Sequence, residues 1–210
     1  MATEEKNDGK NGGKKDGKND GKLKEKRPAE PRPKRMFAAI PFPGRTIRET
    51  IVPLENIPEL KDKNFSNIHL TLLFLGNVKP DDAPRLLEKA SLARAESFEA
   101  VVRGLGSFSR KNGPILWAGI EENPALRALK TEVDEKIGEF VEKPDGKGRF
   151  SPHLTLTRLK AAPSKELVRA LESEKETRFG TFPVRSFFVY ESIIDRRGAE
   201  HVPMLEVPLL

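Results

Sequence analysis

His69-Leu70-Thr71-Leu72 and His153-Leu154-Thr155-Leu156 repeat one tetrapeptide in a chain of 210 residues that has only 3 histidines. By composition a histidine would be followed by apolar-Thr-apolar about one time in a hundred, so two copies point to a shared task. Side chains alternate faces along a strand. Read as strands, the first copy sets His69 and Thr71 on one face and Leu70, Leu72 and Phe74 on the other. The second sets His153, Thr155 and Thr157 against Leu154, Leu156 and Arg158. The leucines would hold each strand to its helices while imidazole and hydroxyl project together.

Two such pairs facing one another suit attack on a phosphodiester without a metal. A neutral imidazole takes a proton from the nucleophile, and an imidazolium gives one to the leaving oxygen. Histidine titrates near neutrality, so both forms are accessible at physiological pH. The hydroxyls of Thr71 and Thr155 can donate to non-bridging phosphoryl oxygens as charge builds. Arg158 would add fixed positive charge and bidentate contacts. Strict alternation puts Arg158 on the leucine face, so it must leave the regular strand path to reach a phosphate. Spacing does not say which histidine is acid and which is base.

The elements that must position these groups repeat as well. "RMFAAIPF" (35–42) reads as a buried strand and "RTIRETIVPL" as a short helix stopped near Pro53. "IHLTLLFLG" is a strand ended by Gly76. "DDAPRLLEKASLARA" is a helix capped by Asp81 or Asp82, with Pro84 in its first turn. Strands "FEAVVRGLGSF" and "PILWAGI" follow. Then come a long helix capped by Asn123, the strand "SPHLTLTRL", a helix capped by Ser164, and strands "FPVRSFFVYESII" and "HVPMLEVPL". Each half therefore reads helix, HLTL strand, helix, strand, strand. The expected fold is α+β: two pseudo-symmetric lobes, each an antiparallel sheet with helices on its outer face, around a central cleft.

Composition narrows the function classes. Residues 1–35 hold 12 Lys and Arg against 7 Asp and Glu, five of the six net positive charges of the chain. This Lys, Gly, Asn and Asp-rich tail has almost nothing to bury and is expected to be disordered. The alternative is a weak, salt-sensitive, sequence-blind tether for RNA phosphates. Residues 36–210 form the folded part. Cysteine is absent, so neither a disulfide nor a thiolate metal site can form. No cofactor or metal is expected. No apolar stretch approaches a membrane span and the N-terminus has no secretory h-region, so a cytoplasmic monomer is expected.

"RMFAAIPFP", "NIHLTLLFLGNV", "WAGI", "FSPHLTLTRLK" and "FFVYESII" occur in an order that resembles the two-histidine phosphoesterase superfamily. Within it, the chain is similar to the bacterial and archaeal RNA 2′,3′-cyclic phosphodiesterases, once called 2′-5′ RNA ligases. The resemblance implies hydrolysis of RNA terminal 2′,3′-cyclic phosphates to 2′-phosphates, with 2′-5′ RNA ligation as the reverse. It implies His69 and His153 as catalytic residues, with Thr71, Thr155 and Arg158 on the substrate. It also implies that His153 activates water and His69 protonates the leaving 3′ oxygen. Phe37 falls where the family stacks a terminal base, or else in the core. His201 departs from the tyrosine common in the family and reads as a surface residue of the last hairpin. Trp117 and Tyr190 read as core. Two other readings are an RNA-end-binding module without turnover and a phosphodiesterase of small cyclic nucleotides.

Overall fold

The computed structural model describes residues 32–51, 59, 67–110, 113–142, 150–196 and 198–210. Most of the expected tail, residues 1–31, lies outside these. Its last residues do not: the first strand already begins at Lys34, β1 being Lys34–Pro41. The elements that follow are α1 (Gly44–Thr50), β2 (His69–Val78), α2 (Ala83–Ser91), β3 (Phe98–Phe108), β4 (Ile115–Ile120) and α3 (Pro124–Ile137). Then come β5 (His153–Arg158), α4 (Lys165–Ser173), β6 (Arg178–Val184), β7 (Ser186–Asp195) and β8 (Gly198–Pro208). Among the described residues no helix is long and apolar enough to cross a membrane.

All strand pairs are antiparallel, and they make one eight-stranded sheet in the order β6-β3-β4-β5-β2-β1-β7-β8. The two expected sheets are thus joined edge to edge, and the two HLTL strands, β2 and β5, are the neighbours at the seam. The halves of the sheet are also not the halves of the sequence. The β3–β4 hairpin follows β2 in the chain but lies beside β5, whereas β7–β8 follows β5 but lies beside β1. The break at Arg185 makes this exchange. The expected continuous strand "FPVRSFFVYESII" splits there into β6, on one edge of the sheet, and β7, beside β1. Pro183 of β6 and Pro203 of β8 are tolerated because both are edge strands, where a missing N–H costs no ladder bond.

The helices share one face of the sheet. Ile47 of α1, Leu86 and Ala90 of α2, Leu126, Leu129, Val133 and Ile137 of α3, and Leu167 and Leu171 of α4 join one buried cluster. Leu70, Leu72, Leu154 and Leu156 of the two motifs belong to the same cluster. Each leucine side chain buried this way contributes about 1.5–3 kcal/mol, which pins the motifs with their histidines on the face opposite these helices.

Helix starts follow the expected chemistry with one exception. The Asn123 and Ser164 side chains accept from the backbone N–H groups of Leu126 and Leu167 at 2.8 and 3.1 Å. Asp82 precedes α2 but makes no side-chain cap bond, because its own backbone is already helical (φ −84°, ψ −24°). The N–H groups of Asp82 and Ala83 turn back to the Lys79 carbonyl at 3.0 and 3.1 Å instead. Nor does Gly76 end its strand: with φ +80°, open to glycine, it carries β2 on to Val78.

Candidate active site

The seam holds one ladder pair, Leu70 opposite Leu154. In that antiparallel register His69 stands level with Thr155, and Thr71 with His153. Each imidazole therefore faces the hydroxyl of the other motif, and a pseudo-twofold axis runs between the two leucines. The sequence pattern brought the four residues to one face; the junction of β2 with β5 brings them to one place.

Arg158 reaches that face through a bulge. Thr155 pairs with Trp117 and Thr157 with Leu116, so Leu156 is an extra residue with no partner on β4. Cross-strand partners share a face. Thr157 thus falls on the side of buried Leu116, and Arg158, opposite Ile115, falls with Trp117, Thr155 and His153. One inserted residue reverses the alternation that would have hidden the guanidinium. Its Nη1 donates to the Gly113 carbonyl at 3.4 Å, a long bond that leaves most of its donors open.

The first motif carries the same device. Thr71 pairs with Ala39 and Leu73 with Ala38, which leaves Leu72 extra. Phe74 is thereby turned onto the histidine face, opposite Phe37, and is 56% exposed. Phe74 and Arg158 occupy the same position of their motifs, three residues beyond the threonine. Strict alternation set Phe74 on the leucine face; the signal that could have placed it was this positional match to Arg158.

Both histidines are held by the same local bond. Nδ1 of His69 lies 2.7 Å from the Asn67 carbonyl, and Nδ1 of His153 lies 2.8 Å from the Ser151 carbonyl. A carbonyl only accepts, so each Nδ1 carries the proton and each Nε2 is left for chemistry. Burial holds His69 well below the ordinary imidazole range, at about 4; the Asn67 carbonyl pulls it up, while the charges of His201 and His153 push it further down. In the free protein His69 is thus neutral at pH 7.

Phe37 lies on the site face but is 4% exposed, its ring covered by those of His69 at 5.1 Å, Tyr190 at 5.3 Å and His201 at 4.9 Å. It forms the floor under His69 and offers no open face to a base. His201 is not an isolated surface residue of the hairpin. It is half-buried, and its ring stands edge-on to His69 at 5.0 Å. All three histidines of the chain are gathered on this face. Tyr190 stacks between Phe37 and Phe188, at 5.3 and 5.6 Å. Trp117 packs beside Phe108 at 5.2 Å, and its buried Nε1 has no hydrogen-bond partner among the described residues. A Cβ on Gly106 would come within 2.2 Å of the indole, so only glycine lets Trp117 lie flat there.

The described residues contain no cluster of three or more metal-ligating side chains. The site instead offers two Nε2 atoms, two hydroxyls, one open guanidinium and one open aromatic ring. The chain is similar to proteins named RNA 2′,3′-cyclic phosphodiesterase. It is 32% identical to that of Aeropyrum pernix over 165 residues, 77% of this chain and 90% of the relative. It is 31% identical to that of Archaeoglobus fulgidus over 171 residues, 78% and 94% respectively. The crystal structure of Escherichia coli LigT complexed with 3′-AMP superposes with a TM-score of 0.64 at 25% identity, over 85% of this chain and 98% of LigT. Residues 43–193, which hold both motifs, match the family model of the 2′-5′ RNA ligase superfamily, and the chain belongs to that superfamily.

Proposed function

We propose that this protein hydrolyses the 2′,3′-cyclic phosphate at an RNA end to a 2′-phosphate, with His69 and His153 as acid and base. The observation that carries the reading is the matched pair of Nδ1 bonds to Asn67 and Ser151, at 2.7 and 2.8 Å. They present two Nε2 atoms from two strands that meet at one ladder pair. An acid and a base on opposite sides of one phosphorus is what in-line displacement of one oxygen by another requires.

Nε2 of His153 takes a proton from water, whose oxygen forms the new bond to phosphorus. The bond from phosphorus to the 3′ oxygen breaks, and Nε2–H of His69 gives its proton to that oxygen. The 2′ linkage survives, so the product is a 2′-phosphomonoester with a free 3′-hydroxyl. Thr71 and Thr155 donate to the non-bridging oxygens, and the Arg158 fork neutralises their charge. Phe74 stacks the terminal base: it is the aromatic of the site face left open, and Phe37 lies beneath the histidines.

Product analysis on RNA with a 2′,3′-cyclic end tests this. Wild type should yield the 2′-phosphomonoester at a rate indifferent to excess chelator, and His153→Ala should lose about 10²–10⁴-fold in kcat. Wild-type-like turnover by both His69→Ala and His153→Ala, each shown to fold, would sink the reading. Binding of the cyclic end without any product would mark an RNA-end-binding module instead.

A further inference from the structure

The two motif histidines share a local design but differ in their neighbouring rings, His69 lying also over Phe37 at 5.1 Å. Each hands Nδ1–H to the carbonyl two residues earlier, and each is met edge-on by a second ring at 5.0 Å. For His153 that ring is Phe108, at an interplanar angle of 84°. For His69 it is His201, at 79°. Phenyl cannot ionise; imidazole can. His201 is thus an ionisable ring beside His69, and its charge adds to the burial that lowers His69 most.

His201 is placed to act on His69. It lies on β8 opposite Ser192, and its ring contacts Phe37 at 4.9 Å, the same ring that floors His69. Its side chain makes no hydrogen bond to a described residue. Asn67 ties the two together: its carbonyl holds the His69 ring, and its side-chain amide donates to the Ala199 carbonyl at 3.1 Å, two residues before His201. The other titratable groups on this side are His153 from β5, Tyr190 from β7 and Glu206 of β8, which pairs with Phe188 and acts on Tyr190. From β1 come Phe37 and Pro41, and from the segment before β2 comes Asn67, none of which titrates. Glu191 pairs with Val202 in the ladder and its carboxylate is held by Lys34 at 2.7 Å. Exposed Glu200 precedes His201 on β8 and points to the other side by strand alternation.

We propose that His201 is a positioning residue for His69: its charge state shifts the pH at which the buried His69 ring takes up a proton. A cation 5 Å away opposes a second positive charge in the same pocket, so the two rings hold at most one proton between them until the pH is well below neutral. His201, less deeply buried, ionises first as pH falls and so delays His69. Burial lowers both groups, in the direction this order requires. The inference deepens the proposed function and rests on it for the meaning of His69, but its test needs no substrate.

Histidine ring resonances of the labelled full chain, followed by NMR against pH, read the coupling. In wild type the His201 midpoint should lie above that of His69, and the His69 curve should bend as His201 charges. His201→Gln and His201→Phe should each raise the His69 midpoint by roughly one to two pH units. His201→Lys should lower it again. An unchanged His69 midpoint in a folded His201→Gln overturns the proposal. So does a simple wild-type His69 curve indifferent to His201, which needs no variant at all. Failure of wild type to open a cyclic phosphate would remove the proposed function and leave this titration result standing.

Discussion

The proposed reaction asks His69 to give a proton at neutral pH, yet in the free protein it is pushed down to about 4. Protonating it at pH 7 then costs about 4 kcal/mol, three pH units at roughly 1.4 kcal/mol each. A phosphoryl anion about 4 Å from the ring returns roughly 4 kcal/mol at an effective dielectric constant near 20. The two terms nearly cancel, so a bound phosphate should bring His69 back to titrate near neutrality. On the proposed mechanism the acid is loaded by the substrate's own charge. The perturbation is saturation with adenosine 2′-monophosphate, the product-like ligand, and the assay is the NMR pH titration of the His69 ring with and without it. The free midpoint should fall near 4 and rise by two units or more on saturation. A free midpoint near 6.5, or a saturated one still near 4, would refute the reasoning.

Arg158 and Phe74 occupy equivalent positions and should fail differently. Arg158→Ala removes charge from the phosphoryl group and should lower kcat/KM on cyclic-ended RNA by at least about tenfold. Phe74→Ala removes a stacking face worth about 1–3 kcal/mol and should act mainly on KM, while Phe74→Trp keeps it; equal kcat losses in the two alanine variants would contradict this division. Stability should also depend on His69. Its folded value lies below that of the unfolded chain, which therefore binds more protons between pH 6.5 and 4, and stability falls as pH drops through that window. His69 should contribute about 3 kcal/mol of that loss, so the difference in urea unfolding between pH 7 and pH 4 should shrink by about that much in His69→Gln.

What could be read from the sequence was what depends on neighbours in the chain. His69 with Thr71, and His153 with Thr155, share faces because alternation has a period of two, and no distant partner alters that over three residues. Asn123 and Ser164 cap their helices through bonds spanning three residues. The side of Arg158 was not legible, because the bulge at Leu156 exists only in the pairing of β5 with β4. The same holds for Phe74, turned by the pairing of β2 with β1. His201 read as a lone hairpin residue because its partner stands on β2, at the other side of β1 and β7. The order of elements was plain from periodicity. Which edge of the sheet each hairpin joins is a long-range choice that periodicity does not contain.

The exchange of hairpins has a bearing on how the chain emerges during synthesis. The half made of β6, β3, β4 and β5 is drawn from one continuous stretch, Phe98 to Val184. The half made of β2, β1, β7 and β8 is drawn from both ends, and the outer edge of β1 stays unpaired until β7 has been made. Non-local pairing of this kind is slow, and an open apolar edge such as Met36–Ile40 is prone to wrong partners while it waits. His153 can thus be set in a finished sheet before His69 is. A ribosome-stalled chain that stops after β6 should protect β3, β4 and β5 from protease and leave β1 open to it.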